Sequence, residues 1–565
     1  MSRDLSVTVN DLWATVREVV SSRGRKLVKY GYFEEVWEAL LSDAGLTIVR
    51  APTGCGKTEA STAPFIHGLA QGERWWLSLV YALPTRSLVA AMRRRLSEAV
   101  GAVGAWPCTA TINYGGPFVT RPYLEGDVAV TTYDTLLYQF YGIAHPWYRV
   151  LLPMSKVACS LVVMDEVQLL QDTMWYSMSL IPAHLAALLS MGAKVVLMSA
   201  TLPKVLLDSI DHELTRCDVR ARLKQVWGEA YRVIDSRDVP ARGRLDVELR
   251  EGPLPSGRDL INLLSELKLG DRLPALIVTN KVSKAVEVYM TLLKAVREGK
   301  LRNVAPVLLH SRLRWATRKA VEEMFESKEE RRLKRVVLVA TQVVEAGLDL
   351  DVRLLLTEVS PVDSLIQRLG RCGRRTDGFA LVFLDEESGK GVYPSALLRS
   401  TISLIRGRED ELSNSVRRLD CAQELVDSVY TKEVVDELKR GIETLIERAR
   451  DWIRKSIERV FAKSGHRTRL PLLRLGAELT CWLPSPDHYH KLLTDGVEEC
   501  VKVQEFIDNV VRLSLRSPLR PPAAILHRVG SKVGLLVLRV SADRGQGRVT
   551  IRCLLYTSPS PRDRG

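Results

Sequence analysis

The segment LTIVRAPTGCGKTEA, residues 46–60, runs from an apolar stretch through a glycine-containing loop into a helix-like stretch. The apolar stretch is typical of a buried strand, and the loop ends in Gly56, Lys57 and Thr58. A strand, such a loop and a helix N-terminus together bind phosphate groups, because backbone N–H groups and a lysine point at the anion. The segment therefore predicts an α/β fold with a phosphate-binding loop.

The residues of this loop have separate predicted roles. Backbone N–H groups cradle the β-phosphate of a nucleotide, Lys57 reaches the β and γ phosphates, and the Thr58 hydroxyl binds Mg²⁺. The predicted nucleotide contacts are Thr53, Gly54, Cys55, Gly56, Lys57 and Thr58.

Two further apolar runs end in side chains suited to nucleotide hydrolysis. SLVVMDE ends in Asp165 and Glu166, at the strand edge where α/β sheets bind ligands. Asp165 is predicted to hold Mg²⁺ through its water shell, and Glu166 to orient and deprotonate the attacking water. Ser199, Ala200 and Thr201 follow KVVLM and are predicted to sense the γ-phosphate and couple it to nucleic-acid loops.

A basic segment, QRLGRCGR, stands much later in the chain. Arg371 and Arg374 are three residues apart and share one face of a helix or turn. They are predicted to neutralise charge that develops on the transferred phosphoryl group, while Gln367 contacts the γ-phosphate or the water. A solvated basic helix is the alternative.

Continuous apolar runs divide the chain into two α/β units, because such runs are typical of parallel strands buried on both faces. The runs are LTIV, WWLSLVYAL, DVAVTT, SLVVMDE and KVVLMSA in the first unit, and PALIVTN, VAPVLLHS, RVVLVATQ, VRLLLTEV and GFALVFLDE in the second. SRDVPARGRLDVELREGPLPSGRD, between them, is interpreted as a linker. The predicted divisions are a helical segment 1–45, a first unit 46–230, a second unit 231–390, a helical connector 391–465, an accessory domain 466–552 and a non-native tail 553–565.

Composition limits the partners and the compartment. Lysine and arginine total 81 against 67 acidic residues, a net charge of +14. This charge favours nucleic acid as partner, with a generally basic surface as the alternative. The nine cysteines include no CxxC pair, which argues against a disulfide framework or a zinc site. Charges interrupt every apolar run near the N-terminus, so we predict a cytoplasmic protein without a membrane span.

The order AxxGxGKT, PTR, DEVQ, SAT and QxxGRxxR resembles superfamily-two helicases from about Leu46 to Asp385. Ala51, in place of the first loop glycine, is a variant typical of helicases. The resemblance implies two tandem RecA-like parallel-sheet lobes that sandwich ATP and Mg²⁺. It also implies nucleic-acid contacts from Pro84, Thr85, Arg86, Gly115, Gly116 and Thr132 in the first lobe and from His310, Ser311, Arg312 and Thr341 in the second. Gly347 and Asp349 are implied to contact the nucleotide and couple it to lobe closure.

The residues around the motifs indicate a particular family within this superfamily. MDEVQ, MSATLP and the run from Val339 to Arg375 resemble the helicase core of the CRISPR-associated helicase-nuclease family of type I interference. This implies recruitment by a CRISPR RNA-guided surveillance complex and ATP-driven 3′ to 5′ movement on single-stranded DNA.

The chain departs from the fused members of that family in one way and from superfamily-two helicases in another. Residues 1–45 contain no histidine, so the HD-type nuclease is expected in a separate subunit. The close pair His488 and His490 is interpreted as a surface loop rather than a metal site. The segment YGYFEEVWEALLSDAGL has no glutamine to read adenine, which leaves the base preference open.

Two alternatives remain at this point. A general superfamily-two DNA or RNA helicase, in repair or RNA metabolism, would share both lobes. A non-hydrolysing nucleic-acid clamp is disfavoured, because Lys57, Asp165, Glu166 and Arg371 are all in place.

Overall fold

The N-terminal segment and both predicted α/β units are present in a computed structural model. It describes residues 7–24, 27–42, 44–52, 54–104, 109–113, 123–143, 151–217, 219–220, 229–236, 243–326, 334–345, 348 and 350–456, and six strands after residue 476. None of the described helices is long and apolar enough to cross a membrane.

The first lobe is a seven-stranded sheet in which all neighbouring strands are parallel. Its strands are β1 (Ala44–Arg50), β2 (Ser78–Leu83), β3 (Ala110–Asn113), β4 (Val128–Thr132), β5 (Ser160–Met164), β6 (Lys194–Ser199) and β7 (Glu229–Asp235). Their order across the sheet is β3-β4-β2-β5-β6-β1-β7. All five strands predicted from apolar runs are present, and β3 and β7 are additional.

The first lobe ends beyond the predicted boundary at residue 230, because β7 belongs to its sheet. Strand β7 pairs with β1 in parallel as far as Arg50↔Asp235, and the Arg50 guanidinium donates two hydrogen bonds of 2.7 Å to the Asp235 carboxylate. The boundary was placed too early because EAYRVID has no continuous apolar run.

Helices cover both faces of the first sheet. They are α1 (Val9–Ser21), α2 (Tyr32–Leu41), α3 (Lys57–Gln71), α4 (Arg86–Ala102), α5 (Tyr133–Phe140), α6 (Leu151–Ala158), α7 (Tyr176–Ser190) and α8 (Lys204–Arg216). Neighbouring strand residues such as Ile48 and Val49 belong to two different apolar cores, because successive side chains point to opposite faces. Helix α7, SLIPAHLAALL at its centre, is apolar all round and accordingly buried along nearly its whole length.

The second lobe is a six-stranded parallel sheet with the order β10-β11-β9-β12-β13-β8. Its strands are β8 (Leu245–Glu251), β9 (Ala275–Val278), β10 (Ala305–Leu309), β11 (Val336–Ala340), β12 (Leu354–Glu358) and β13 (Gly378–Leu384). Its helices are α9 (Gly257–Glu266), α10 (Val282–Arg297), α11 (Trp315–Glu326) and α12 (Val362–Leu369).

The linker interpretation of residues 236–259 was wrong. Within that stretch β8 pairs with β13 along its whole length, from Leu245↔Gly378 to Glu251↔Leu384. The sequence LDVELRE alternates apolar and charged residues, the pattern of an edge strand with one covered face. Because many of its residues are charged, this stretch was not recognised as a strand from the sequence.

The predicted helical connector is confirmed over the described residues up to 456. A short helix, α13 (Glu386–Gly389), precedes it. The connector contains α14 (Ser395–Ile405), α15 (Glu409–Ser415), α16 (Leu419–Val429), α17 (Lys432–Lys439) and α18 (Glu443–Arg454). Arg454 donates hydrogen bonds of 2.6 and 2.8 Å to the Glu213 carboxylate in the first lobe. Arg406 donates bonds of 3.0 and 3.1 Å to Glu251 in the second. The connector therefore touches both lobes.

The predicted accessory region contains antiparallel strands. They are β14 (Ala477–Trp482), β15 (Glu499–Lys502), β16 (Val510–Leu515), β17 (Leu526–Val529), β18 (Lys532–Asp543) and β19 (Arg548–Thr557). They form a two-stranded sheet, β14-β16, and a four-stranded sheet, β15-β19-β18-β17. Strand β19 continues past the predicted end of the domain at 552, since Cys553 pairs with Leu538 and Thr557 with Gly534. His488, His490 and residues 558–565 lie outside the described residues.

A buried arginine forms several hydrogen bonds inside the second lobe. Arg368, on α12, is 0% exposed. Its guanidinium donates to the Glu345 carboxylate at 2.8 Å, to Asn280 Oδ1 at 3.1 Å and to the Tyr393 hydroxyl oxygen at 2.8 Å. Burial raises the pKa of Glu345, and the charge of Arg368 opposes that shift. The ion pair thus holds α12 against the segment that follows β11.

Replacing Arg368 should destabilise the second lobe. Arg368→Met leaves the Glu345 carboxyl buried without its cation, so the free energy of unfolding should fall by about 3–5 kcal/mol. Hydrogen exchange of peptides from β12 and α12 across a urea series measures this change. Arg399→Met is the control, because the Arg399 side chain is 57% exposed and its ion pairs lie at the surface. Equal losses in the two variants would contradict the role of Arg368.

Candidate nucleotide and nucleic-acid site

The phosphate-binding loop lies between β1 and α3, at the carboxyl edge of the first sheet. Gly54 and Gly56 have φ values of 90° and 79°, in the left-handed region that favours glycine. A Cβ on Gly56 would lie 2.8 Å from Phe33 Cζ, so the position also lacks room for a side chain. The Tyr32 hydroxyl donates to the Cys55 carbonyl oxygen at 2.8 Å. Helix α2 therefore supports the shape of the loop.

Lys57 begins α3 and its ammonium points back into the loop. Nζ donates to the carbonyl oxygens of Ala51 at 2.7 Å and Pro52 at 3.4 Å, and the residue is buried. A phosphate that enters the loop would compete with these carbonyls for the ammonium. Three predicted nucleotide contacts lie outside the described residues: Thr53, Gly347 and Asp349.

Asp165 follows β5 and is buried beside the hydroxyl of Tyr81. The Tyr81 hydroxyl donates to Asp165 Oδ2 at 2.7 Å and lies 3.5 Å from Thr58 Oγ1. Burial, reinforced by the charge of Glu166, raises the pKa of Asp165 to about 6, while the Lys57 ammonium acts in the opposite direction. A divalent cation at this point would favour the charged carboxylate.

Glu166 is joined to the third predicted motif by hydrogen bonds. It adopts a left-handed φ of 55°, and its carboxylate accepts a hydrogen bond from the Gln168 side-chain amide. Gln168 Oε1 in turn accepts from the Ser199 hydroxyl at 2.6 Å. Ala200 and Thr201 follow directly and are buried. The structure thus brings the residues after β5 and β6 together, as the parallel arrangement requires.

Arg374 extends from the second lobe to the phosphate-binding loop of the first. A Cβ on Gly54 would lie 3.3 Å from Arg374 Nη2. The backbone N–H of Arg374 donates to Asp351 Oδ1 at 3.0 Å, which fixes the turn that presents the side chain. The guanidinium therefore lies beside the site predicted for the nucleotide phosphates.

Arg371 and Gln367 have surroundings that differ from those of Arg374. The two Nη atoms of Arg371 donate to the carbonyl oxygens of Leu348, at 2.6 Å, and Glu345, so its guanidinium supports a segment of its own lobe. Gln367 Oε1 is buried and has no hydrogen-bond partner among the described residues. An unsatisfied buried acceptor is costly, and a bound water would satisfy it.

The predicted nucleic-acid residues of the first lobe lie at the N-termini of two helices. Thr85 caps α4 and Thr132 caps α5, each accepting a hydrogen bond of 3.4 Å from the backbone N–H three residues later. Helix N-termini attract phosphate groups. Of the other predicted contacts in this lobe, Pro84 and Arg86 flank Thr85, and Gly115 and Gly116 lie outside the described residues.

The corresponding residues of the second lobe follow β10 and β11. His310 is buried, and its Nδ1 accepts from the Arg312 backbone N–H at 3.2 Å. Burial, and then the nearby charge of Arg312, lower the pKa of His310. Ser311 and Arg312 are exposed, whereas Thr341 is buried. Two of these four predicted contacts are therefore open to a ligand without rearrangement.

Sequence reasoning missed three side chains at the site. Tyr81 and Tyr133 both contact Asp165, the second through a 3.0 Å hydrogen bond to its carbonyl oxygen. Arg318, on α11, donates to the Ser87 hydroxyl on α4 at 3.0 Å, across the two lobes. The tyrosine within the apolar run of β2 was an available signal, but no local pattern distinguishes Arg318 from other arginines.

Two protein-family models match this chain. The model described as DEAD/DEAH box helicase matches residues 32–209. The model described as CRISPR-associated nuclease/helicase Cas3, C-terminal, matches residues 272–377. The matches fall on the first and second lobes respectively.

Individual relatives agree with these matches. The chain is 30% identical to the CRISPR-associated helicase Cas3 of Thermoproteus tenax over 435 residues, which cover 72% of this chain and 67% of that protein. It is 26% identical to the CRISPR-associated endonuclease/helicase Cas3 of Escherichia coli over 466 residues, 71% of this chain and 50% of that protein. The chain thus spans between half and two thirds of the length of these relatives.

Solved structures share the fold. The crystal structure of T. fusca Cas3-AMPPNP matches with a TM-score of 0.63 at 21% identity, covering 91% of this chain and 66% of that one. A chain from a CRISPR RNA-guided surveillance complex, pre-nicking, matches with a TM-score of 0.56 at 22% identity, covering 88% of this chain and 64% of that one.

The Tyr81 hydroxyl should affect the metal requirement of ATP hydrolysis. Tyr81→Phe removes the donor that orients the Asp165 carboxylate, so the Mg²⁺ concentration for half-maximal hydrolysis should rise by about tenfold or more. A Mg²⁺ titration of steady-state hydrolysis measures it. Tyr141→Phe is the matched control, since that buried hydroxyl bonds His184 at 2.7 Å. The same Mg²⁺ requirement in both variants would refute the assignment.

Arg374 should act in the transition state rather than in nucleic-acid binding. Arg374→Ala should slow ATP hydrolysis at saturating ATP by about 10³-fold or more, with little change in the affinity for single-stranded DNA. The exposed neighbour Arg375 provides the control variant Arg375→Ala. Weakened DNA binding with normal turnover in Arg374→Ala would show that the guanidinium serves the nucleic acid instead.

Proposed function

This chain belongs to the family of CRISPR-associated Cas3 helicases, which are ATP-dependent enzymes, and we propose that it hydrolyses ATP to move 3′ to 5′ along single-stranded DNA. In type I CRISPR interference, an antiviral defence, this movement would unwind target DNA for a separate nuclease. The position of Arg374 beside Gly54 carries the proposal. It supports a nucleotide site that both lobes share, so that hydrolysis can change the distance between them.

Each charged or polar group of the site has one proposed role in hydrolysis. The loop from Thr53 to Thr58 binds the phosphates, and Lys57 neutralises the β and γ groups. Glu166 orients and deprotonates the attacking water. Gln367, whose buried oxygen has no hydrogen-bond partner among the described residues, accepts a hydrogen bond from that water. Arg374 stabilises the charge that develops on the transferred phosphoryl group. Arg371 binds the carbonyl oxygens of Glu345 and Leu348 in its own lobe.

Thr58 and Asp165 are the proposed Mg²⁺ residues. The hydroxyl of Thr58 and the carboxylate of Asp165 approach the same Tyr81 hydroxyl, at 3.5 and 2.7 Å, so they lie close together, and oxygen ligands suit this cation. When bound, Mg²⁺ neutralises phosphate charge and orients the γ-phosphate. The raised pKa of Asp165 fits a carboxyl whose natural partner is a cation.

Coupling between nucleotide and nucleic acid would use the hydrogen bonds that follow β5 and β6. The chain Glu166, Gln168 and Ser199 is continuous. A change at the γ-phosphate that moves Glu166 would be passed on through these bonds to the segment containing Ala200 and Thr201. In the second lobe Gly347 and Asp349 are proposed to respond to the same nucleotide.

Single-stranded DNA would bind across both lobes on the residues that the sequence predicts as nucleic-acid contacts. These are Pro84, Thr85, Arg86, Gly115, Gly116, Thr132, His310, Ser311, Arg312 and Thr341. Hydroxyl, basic and backbone donors of this kind contact phosphates rather than base edges. Binding should accordingly depend little on sequence and weaken steeply with salt.

Two protein partners complete the proposal. A CRISPR RNA-guided surveillance complex would recruit the chain, supported by the fold shared with a chain of such a complex. A separate HD-type nuclease subunit is proposed to cut the DNA, as the resemblance to the helicase core of the family implies. DNA cleavage by the purified chain with Mg²⁺, Mn²⁺ or Co²⁺ would exclude the separate subunit.

The deciding experiment is steady-state ATP hydrolysis with Mg²⁺ and no nucleic acid, single-stranded DNA or single-stranded RNA. We expect strong stimulation by DNA alone. Lys57→Ala and Glu166→Gln should both abolish turnover, because the first removes the phosphate cation and the second the base.

Each other outcome has a distinct meaning. Equal or greater stimulation by RNA would replace the proposal with a general RNA helicase. Unchanged turnover in Lys57→Ala would remove the phosphate-loop assignment, and DNA binding without any hydrolysis in the unmodified chain would indicate a clamp.

A further inference from the structure

The hydroxyl of Tyr430, at the end of α16, touches both lobes. It donates to Asp363 Oδ1 of the second lobe at 2.6 Å and lies 2.9 Å from Gln171 Oε1 of the first. The residue is 1% exposed, and its ring centroid lies 5.2 Å from that of Trp175. A connector side chain is thus enclosed by groups from each lobe.

Both acceptors belong to segments that carry the hydrolysis residues. Asp363 lies in the first turn of α12, the helix that contains Gln367 and leads to Arg374. Gln171 follows the short helix that contains Gln168, and its backbone N–H donates to the Gln168 carbonyl oxygen at 3.2 Å. A displacement of Tyr430 would therefore be transmitted to groups on both sides of the nucleotide.

Helix α16 also binds the segment that follows Ser199, Ala200 and Thr201. Gln423 Oε1 accepts from the Leu202 N–H at 3.2 Å, and Gln423 Nε2 donates to the Leu202 carbonyl oxygen at 2.7 Å. Asp427 Oδ1 accepts from the Lys204 N–H at 2.7 Å. The same helix therefore holds three segments of the proposed hydrolysis machinery.

The chemistry at Tyr430 makes this contact sensitive to lobe position. A hydroxyl carries one proton and can donate to one acceptor at a time, so Asp363 and Gln171 compete for the proton of Tyr430. Asp363 is itself buried, so losing this donor would leave a buried carboxyl without its shortest hydrogen bond. A change in the separation of the lobes must therefore alter a buried, desolvated hydrogen bond.

We propose that Tyr430 is a positioning residue that aligns the two lobes for DNA-stimulated ATP hydrolysis. This inference rests on the proposed function, since it concerns the step in which DNA binding brings Arg374 and Glu166 to the same phosphate. Tyr430 touches neither the phosphate-binding loop nor the predicted nucleic-acid residues in the described contacts, so its effect passes through Asp363 and Gln171.

The test compares ATP hydrolysis with and without single-stranded DNA in Tyr430→Phe and the unmodified chain. The phenylalanine keeps the ring against Trp175 and removes the hydroxyl. The DNA-stimulated kcat should fall by about fivefold or more. The basal rate, the KM for ATP and the Kd for DNA should each stay within about twofold, because no group that binds either ligand is changed.

Two further variants keep the result interpretable. Tyr141→Phe removes a buried hydroxyl bonded within the first lobe and should retain full stimulation. Gln171→Met removes only the first-lobe acceptor, leaves the bond to Asp363 in place and should reproduce the loss of stimulation. Gln171→Met also tests the positioning role of Tyr430 in the event that Tyr430→Phe fails to fold.

The outcomes separate this inference from the proposed function. Stimulation in Tyr430→Phe equal to that in Tyr141→Phe would overturn the positioning role, as would full stimulation in a folded Gln171→Met. A parallel fall in basal and stimulated rates would also overturn it, because that is the effect of a structural residue. An unmodified chain without DNA stimulation would instead overturn the proposed function, and this inference with it.

Discussion

The parallel direction of the strands is the constraint on which the site depends. In a parallel sheet all carboxyl ends meet at one edge, and the order β5-β6-β1 places three of those ends side by side. The phosphate-binding loop, Asp165 and Ser199 therefore meet although more than a hundred residues separate the first from the last. The second lobe repeats the arrangement, and Arg374 from that lobe lies beside Gly54.

Burial of charge is the second determinant of the site. Asp165, Lys57 and Arg371 are all buried. A buried ionised group is stable only when it has partners. Asp165 has the hydroxyl of Tyr81, and Arg371 has backbone carbonyls of its own lobe. These partners decide which groups remain available to a nucleotide, and they distinguish Arg374 from Arg371 although the two arginines share one motif.

The helical connector gives the two lobes a common support. Apolar residues of both inner sheet faces and of the connector form one continuous core, while ion pairs such as Arg454–Glu213 and Arg406–Glu251 hold its two sides. A connector packed in this way restricts how the lobes can move relative to each other. Any relative movement of the lobes would therefore change the packing of α16 and α18.

The sequence by itself determined the α/β class, the two lobes, the phosphate-binding loop and the helical connector, because each depends on local patterns of apolar runs, glycines and helical periodicity. It did not reveal β7 or β8, whose charged strands are stable only beside β1 and β13. Nor did it reveal the Tyr81–Asp165 bond, the different positions of Arg371 and Arg374, or the two-lobe contact of Tyr430. Only the tertiary structure decided these features, since each joins residues that are distant in the chain and local pattern carries no information about such distances.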